Sequence, residues 1–129
     1  MSKHINPPEL TKPTGYTHVV EASRGRTIYI SGQIAFDKDG KVVGAGDFRA
    51  QTVQVFENLK AALASAGASF ENVVKVTTFV TDMKFVPILR EVRAGYFGGQ
   101  PPAGTLVQVS ALIIPELLIE VEAIAVVSE

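Results

Sequence analysis

Near its C-terminus the chain carries the stretch Ile119-Glu120-Val121-Glu122-Ala123-Ile124-Ala125-Val126, in which two carboxylates interrupt an apolar run. The β-branched residues of this stretch predict a strand. Side chains of a strand alternate between its two faces, so Glu120 and Glu122 share one face. At least one of them is expected beside buried apolar surface, where a carboxylate needs partners or a shifted pKa. Glu120 or Glu122 is therefore a candidate site residue, and the alternative is a solvated strand edge.

Upstream of this stretch, strand patterns alternate with helical ones. A short Gly-containing connection at 23–26 predicts that the first two strands form a hairpin. Apolar residues spaced by three and four predict two helices, and Asp47 and Asp82 are suitable residues to begin them. The predicted strands cover 16–22, 27–33, 72–80, 105–112 and 119–126, and the predicted helices cover 47–66 and 82–97.

The order of these elements is ββ-α-β-α-ββ. It favours an α+β fold with a single sheet, in which 72–80 is a central strand and both helices pack on one face. The first helix is expected to end before Gly67, and the second before Gly98 and Gly99. The stripe of the first helix that is expected to face the sheet comprises Val53, Phe56, Leu59, Leu63 and Ala66.

The composition predicts one domain over residues 1–129, because 129 residues with 47% hydrophobic side chains suffice for one substantial core. Twelve basic and 13 acidic side chains leave a net charge of −1, which gives nucleic-acid binding no support. The chain has no cysteine, and its two histidines lack metal-ligand spacing, so no metal or cofactor is expected. No segment resembles a secretory signal or a membrane span, and a cytoplasmic location is expected.

Four segments, taken together and in their order along the chain, resemble one known family. They are Ile30-Ser31-Gly32-Gln33, Val74-Lys75-Val76-Thr77-Thr78-Phe79-Val80-Thr81-Asp82, Pro102-Ala103-Gly104-Thr105-Leu106-Val107 and Ile119-Glu120-Val121-Glu122-Ala123-Ile124-Ala125. The family is the Rid/YjgF family of reactive intermediate deaminases, also described as the endoribonuclease L-PSP family. The resemblance implies a chorismate-mutase-like subunit, a homotrimer whose sheets form a central barrel, and small-molecule clefts between neighbouring subunits.

The resemblance also implies an activity and a set of site residues. Members of the family hydrolyse reactive imines and enamines to 2-oxo acids and ammonia. The carboxylate that positions the attacking water matches Glu120, the aromatic hydroxyl of the cleft matches Tyr16, and the close backbone approach matches Ser31 and Gly32. The arginine that holds the substrate carboxylate falls at Gly104, which is a departure from the family pattern.

Two residues are candidates to replace that arginine. Arg90, on the second predicted helix, matches a position where deaminase members tend to carry a small polar residue that lines the cleft. Its planar guanidinium suits a carboxylate approached from another direction, and the alternative is an exposed arginine that pairs with Glu91. The alternative is that Gly104 leaves main-chain N–H groups around Thr105 free to bind an anion.

Three functions follow from this reading. The first is hydrolytic deamination of an imine or enamine with a non-standard substrate, because the usual carboxylate clamp is missing. The second is a non-catalytic homotrimer that binds a small molecule. The third is an endoribonuclease or translation inhibitor, against which a net charge of −1 and the absence of tryptophan argue.

Overall fold

A computed structural model describes residues 2–128, and its helices and strands follow the predicted order with one additional strand at the start. The strands are β1 (Ser2–Ile5), β2 (Val19–Ala22), β3 (Arg26–Gln33), β4 (Val73–Val80), β5 (Ala103–Gln108) and β6 (Ile119–Val127). The helices are α1 (Phe48–Ser65) and α2 (Val86–Phe97). Short 3-10 turns at Phe70–Asn72 and Met83–Phe85 precede β4 and α2.

A four-stranded mixed sheet, in the order β3-β6-β4-β5, forms the centre of the fold. β6 is antiparallel to both of its neighbours, whereas β5 is parallel to β4 because α2 carries the chain back along the sheet. Buried residues alternate along β4 and β6 and join those of the helices in one core, so the helices cover one face. The α+β class is as expected. The largest fully buried side chains are Phe56, Leu59, Leu63, Leu89, Leu117 and Ile119.

The helix ends agree with the capping signals. The Asp47 carboxylate accepts a hydrogen bond from the Ala50 amide at 3.1 Å, and Gly67 follows α1 with a φ of +73°. Asp82 caps the 3-10 turn ahead of α2, and Gly98 ends α2 as predicted. In the stripe of α1, Val53 is wrongly predicted, because it is 39% exposed.

The predicted hairpin is wrong. β2 pairs with β1, a strand that the sequence analysis did not predict, and the two form a separate two-stranded sheet. β3 pairs instead with β6. Turn chemistry around Gly25 shows where the chain reverses, but it does not determine which strands pair. β5 is also shorter than predicted, because it ends at Gln108 rather than at Leu112.

Gln51 joins α1 to two loops that close the core. Its side chain is fully buried, and its Nε2 donates to the carbonyl of Gly44 at 3.2 Å and to that of Glu116 at 2.8 Å. Its Oε1 accepts from the Leu118 amide at 2.9 Å. One buried amide thus satisfies three main-chain groups, one in the loop before α1 and two just ahead of β6, and so ties the start of that strand to α1.

Candidate functional site

A cleft of about 190 Å³ opens between α2 and the β5 edge of the sheet, on the side that carries the helices. Val76 and Leu106 form part of its apolar wall. Four of the residues predicted from the sequence line the cleft, which the structure brings together from three parts of the chain. They are Tyr16, Arg90, Gly104 and Thr105.

The loop that carries Tyr16 is fastened to the start of β5. The Thr17 hydroxyl donates to the Pro101 carbonyl at 2.5 Å, and the Thr17 amide donates to the Pro102 carbonyl at 3.1 Å. Thr17 is only 4% exposed, so these bonds are shielded from water. Tyr16 consequently lies beside Gly104, where an added Cβ would be 3.9 Å from the Tyr16 Cβ.

Arg90 lies in the cleft without a protein partner. Glu91, the alternative partner considered above, binds Arg49 instead, at 2.9 Å. This hydrogen bond and the charge of Arg49 lower the pKa of Glu91. Within residues 2–128, no acceptor makes a hydrogen bond or ion pair with Arg90. Its guanidinium is therefore available to an anionic ligand.

A second arginine, Arg93, lines the same cleft and was missed in the sequence analysis. It follows Arg90 by three positions on α2, a spacing that places two side chains on one helix face. That spacing is the sequence signal that identifies it once Arg90 is chosen. Burial, together with the positive charge of Arg90, lowers the pKa of Arg93.

Glu120 does not line this cleft. It is half-buried on the face of the sheet without helices, whereas Glu122 on the same face is exposed. The Glu120 carboxylate packs directly over Gly32, where a Cβ would be 2.8 Å from the Glu120 Cδ and would overlap one carboxylate oxygen. Only glycine leaves room for this arrangement. Ser31 is exposed beside them.

The predicted site residues thus form two groups. The arginine group comprises Tyr16, Arg90, Arg93, Gly104 and Thr105, and the carboxylate group comprises Ser31, Gly32 and Glu120. The arginine group lies at the β5 edge on the helix side, except for the Thr105 side chain, which accepts a hydrogen bond from Lys75 on the helix-free face. The carboxylate group lies on β3 and β6 on that helix-free face. The sheet separates the two groups within one chain.

Comparison with known proteins identifies the family. A family model described as Endoribonuclease L-PSP matches residues 8–127. The crystal structure of YyfB, of the conserved Rid protein family from Yersinia pestis, superposes with a TM-score of 0.91 at 40% identity and covers 98% of both chains. The chain belongs to the Rid/YjgF family. The family and the fold predicted from the sequence are therefore confirmed.

Two further Rid-type relatives match over most of the chain. A RutC family protein from Pyrococcus horikoshii is 46% identical over 116 residues, which are 88% of this chain and 89% of that protein. The 3-aminoacrylate deaminase RutC of Acinetobacter baylyi is 36% identical over 125 residues, which are 97% of this chain and 98% of that protein. The family model thus carries the endoribonuclease description, and the Acinetobacter baylyi relative is named a deaminase.

Metal-ligand clusters and membrane-spanning helices are both lacking in this Rid chain over the residues that the structure describes. Among residues 2–128, no three or more His, Asp or Glu side chains come together in a way that would hold a metal ion. Over the same residues, no helix is both long and apolar enough to cross a bilayer.

Proposed function

We propose that this Rid protein is a hydrolytic deaminase of small imines or enamines that carry a carboxylate, with Arg90 as the carboxylate anchor. The observation that carries the proposal is the unpaired Arg90 guanidinium in a cleft lined by Tyr16 and Gly104. A guanidinium binds a carboxylate through two parallel N–H donors, which orients the ligand as well as holding it. The missing arginine at Gly104 then changes the direction of binding rather than abolishing it.

The reaction needs one further group, a carboxylate that positions water. Water adds to the carbon of the C=N bond, its proton passes to nitrogen, and the resulting carbinolamine expels ammonia to leave a carbonyl. An enamine first gains a proton on carbon to become the imine. Glu120 is assigned to position and deprotonate the water, since it is the half-buried carboxylate of β6 and Gly32 holds it in a defined place.

Because the sheet separates Glu120 from Arg90 within one chain, the proposal includes an assembly. We assign the site to a cleft between subunits of a homotrimer, in which the arginine group of one subunit faces the carboxylate group of the next. Contacts between two different surfaces of identical subunits close into rings. Exposed apolar side chains on the helix-free face support such contacts, because Tyr29 is 78% and Val107 37% exposed.

The relatives indicate which substrates to test first. The Acinetobacter baylyi relative is named as a deaminase of 3-aminoacrylate, which is an enamine with a carboxylate. The enamine 2-aminoacrylate and the imine 2-iminobutanoate also carry a carboxylate, with the nitrogen on the neighbouring carbon. The proposal covers all three as a class and includes a cytoplasmic location, as expected from the sequence.

The test is a coupled assay of ammonia and carbonyl release from each compound, generated freshly in the cuvette. Wild type should accelerate release over buffer, and Glu120→Gln should abolish the acceleration. Arg90→Ala should raise KM by about 10- to 100-fold, since it removes a charge-assisted pair. The matched control is Arg49→Ala, because Arg49 is an exposed helical arginine outside the cleft. No acceleration over buffer with any substrate would contradict the proposal and leave a binding protein.

A second candidate, endoribonuclease activity, is favoured by the description of the family itself. The same preparations should therefore be incubated with a single-stranded RNA and examined on a denaturing gel. Cleavage that Glu120→Gln and Arg90→Ala both abolish would assign the cleft to RNA. Cleavage that survives both changes would not come from this site.

A further inference from the structure

We infer that Arg90 and Arg93 together select a ligand with two negative charges, so that the preferred substrate class is a small dicarboxylic imine or enamine. The inference rests on the proposed function for the identity of the reacting group, but not for the two charges. It is argued from the surroundings of Arg93, which the family resemblance does not assign to the site.

Arg93 is a partly buried cation that lacks a counter-charge. Among residues 2–128, no carboxylate or carbonyl makes a hydrogen bond or ion pair with it. The cleft walls come from α2, β4, β5 and the loop before β2, and within the described residues none of these lining side chains is acidic. The half-buried Arg93 therefore lies near the like charge of the exposed Arg90, and an entering anion would offset both the partial burial of Arg93 and this repulsion.

The loop before β2 is shaped to accept the Arg93 side chain. Gly15 has a φ of +78°, and a Cβ at this position would lie 2.7 Å from the Arg93 Nη2. Any other residue would be strained there and would push the guanidinium away. The bonds of Thr17 to Pro101 and Pro102 hold this loop in place, so the position of Arg93 is defined on both sides.

The space around the two arginines suits an extended ligand. A second cavity of about 190 Å³ adjoins the first, and Arg90 and Arg93 line both. Phe97 and Pro101 form part of its apolar wall. Side chains three positions apart on a helix are neighbours, with Cβ atoms about 5–6 Å apart, so the two guanidinium groups can each contact one carboxylate of a short dicarboxylic acid. A monocarboxylate would neutralise only one of the two cations.

The test measures binding of non-reacting acids by isothermal titration calorimetry. Succinate and glutarate are compared with butanoate, which lacks the second charge, and with inorganic phosphate, which carries its charges on one centre. Wild type should bind one of the dicarboxylates about 10- to 100-fold more tightly than butanoate. Arg93→Ala should abolish this preference, so that it binds the dicarboxylates and butanoate with affinities within about twofold of each other, and Arg90→Ala should weaken both ligand types.

Each other result overturns the inference. Equal affinity of wild type for succinate, glutarate and butanoate, or no binding of any acid, would show that Arg93 does not select a second charge. An equal loss of both ligand types in Arg93→Ala would make Arg93 a structural residue, and tighter binding of phosphate would assign the pair to a compact anion. Because no turnover is measured, failure of the deaminase assay leaves this result interpretable. Conversely, a working deaminase without dicarboxylate preference would contradict the inference alone.

Discussion

At the scale of single residues, the position of the Glu120 carboxylate depends on Gly32, because glycine has no side chain to occupy the same space. Gly32 lies directly beneath it, and its backbone φ is not in the left-handed region, so alanine is tolerated by the backbone. An added methyl group would instead meet the carboxylate. Glycine is thus required here for the space it leaves and not for its conformational freedom.

We predict that Gly32→Ala lowers kcat by at least about 10-fold, because the displaced carboxylate no longer positions water. The free energy of unfolding should change by less than about 1 kcal/mol, since the group displaced is the end of a flexible side chain. Steady-state kinetics and urea unfolding measure the two effects. Gly99→Ala is the control, because nothing lies within 4 Å of a Cβ there. Full activity in Gly32→Ala would show that the orientation of Glu120 is unimportant.

The carboxylate anchor can be moved within the cleft. A Cβ at Gly104 would lie 3.5 Å from Val76 Cγ2, an ordinary contact, so the backbone there accepts a side chain without displacing the sheet. We predict that the double variant Arg90→Ser/Gly104→Arg recovers most of the affinity for a monocarboxylic imine that Arg90→Ser loses. KM values for the single and double variants measure the recovery. A double variant no better than Arg90→Ser would mean that Gly104 does not face the substrate carboxylate.

The sequence identified Arg90 but not Arg93, and the reason is physical. Arg90 stands at a position to which the family resemblance gives a role, whereas an arginine three residues later is, in a sequence, an ordinary exposed helical charge. Only the loop at Gly15, which is distant in sequence, turns Arg93 into a partly buried, unpaired cation. Tertiary packing of this kind leaves no periodic signal in the chain.

At the scale of elements, strand pairing departs most from the sequence prediction. Local signals identified α1, α2 and β4 because caps and periodicity act within a few residues. Pairing of β3 with β6 joins segments from opposite halves of the chain, and no local turn specifies it. A register shift between Val73 and Lys75 has a similar effect, because it buries Val73, which strict alternation would place on the face opposite to that of Val76.

The start of β6 should depend on Gln51. We predict that Gln51→Met lowers the free energy of unfolding by about 2–4 kcal/mol, because methionine fills a similar volume but leaves the three main-chain partners unpaired. Urea unfolding at a fixed protein concentration measures this loss. Gln54→Met, which removes one bond to Asn58 within α1, is the control and should lose less than about 1 kcal/mol. Equal losses would show that the buried hydrogen bonds of Gln51 stabilise the fold no more than the single bond of Gln54 does.

At the scale of the whole molecule, each of the two groups of site residues lacks a chemical function that the other group has. The arginine group offers cations and an apolar cleft but no acid, and the carboxylate group offers a positioned acid but no anchor. Neither group alone supports the proposed reaction. Members of both groups were predicted from the sequence. Their separation by the sheet was not predicted, because it follows from the order of the strands in the sheet.

Mixing inactive variants tests whether the two groups meet between subunits. Glu120→Gln and Arg90→Ala each lack one group, so a ring that contains both has some clefts with an intact arginine group from one subunit and an intact carboxylate group from the next. We predict that an equimolar mixture, refolded together, regains up to about a quarter of wild-type activity, the share expected for random assembly. Each variant refolded alone is the control. If the active site lay within one chain, the mixture would be no more active than its components. Any oligomer then detected by light scattering would be an assembly that catalysis does not need.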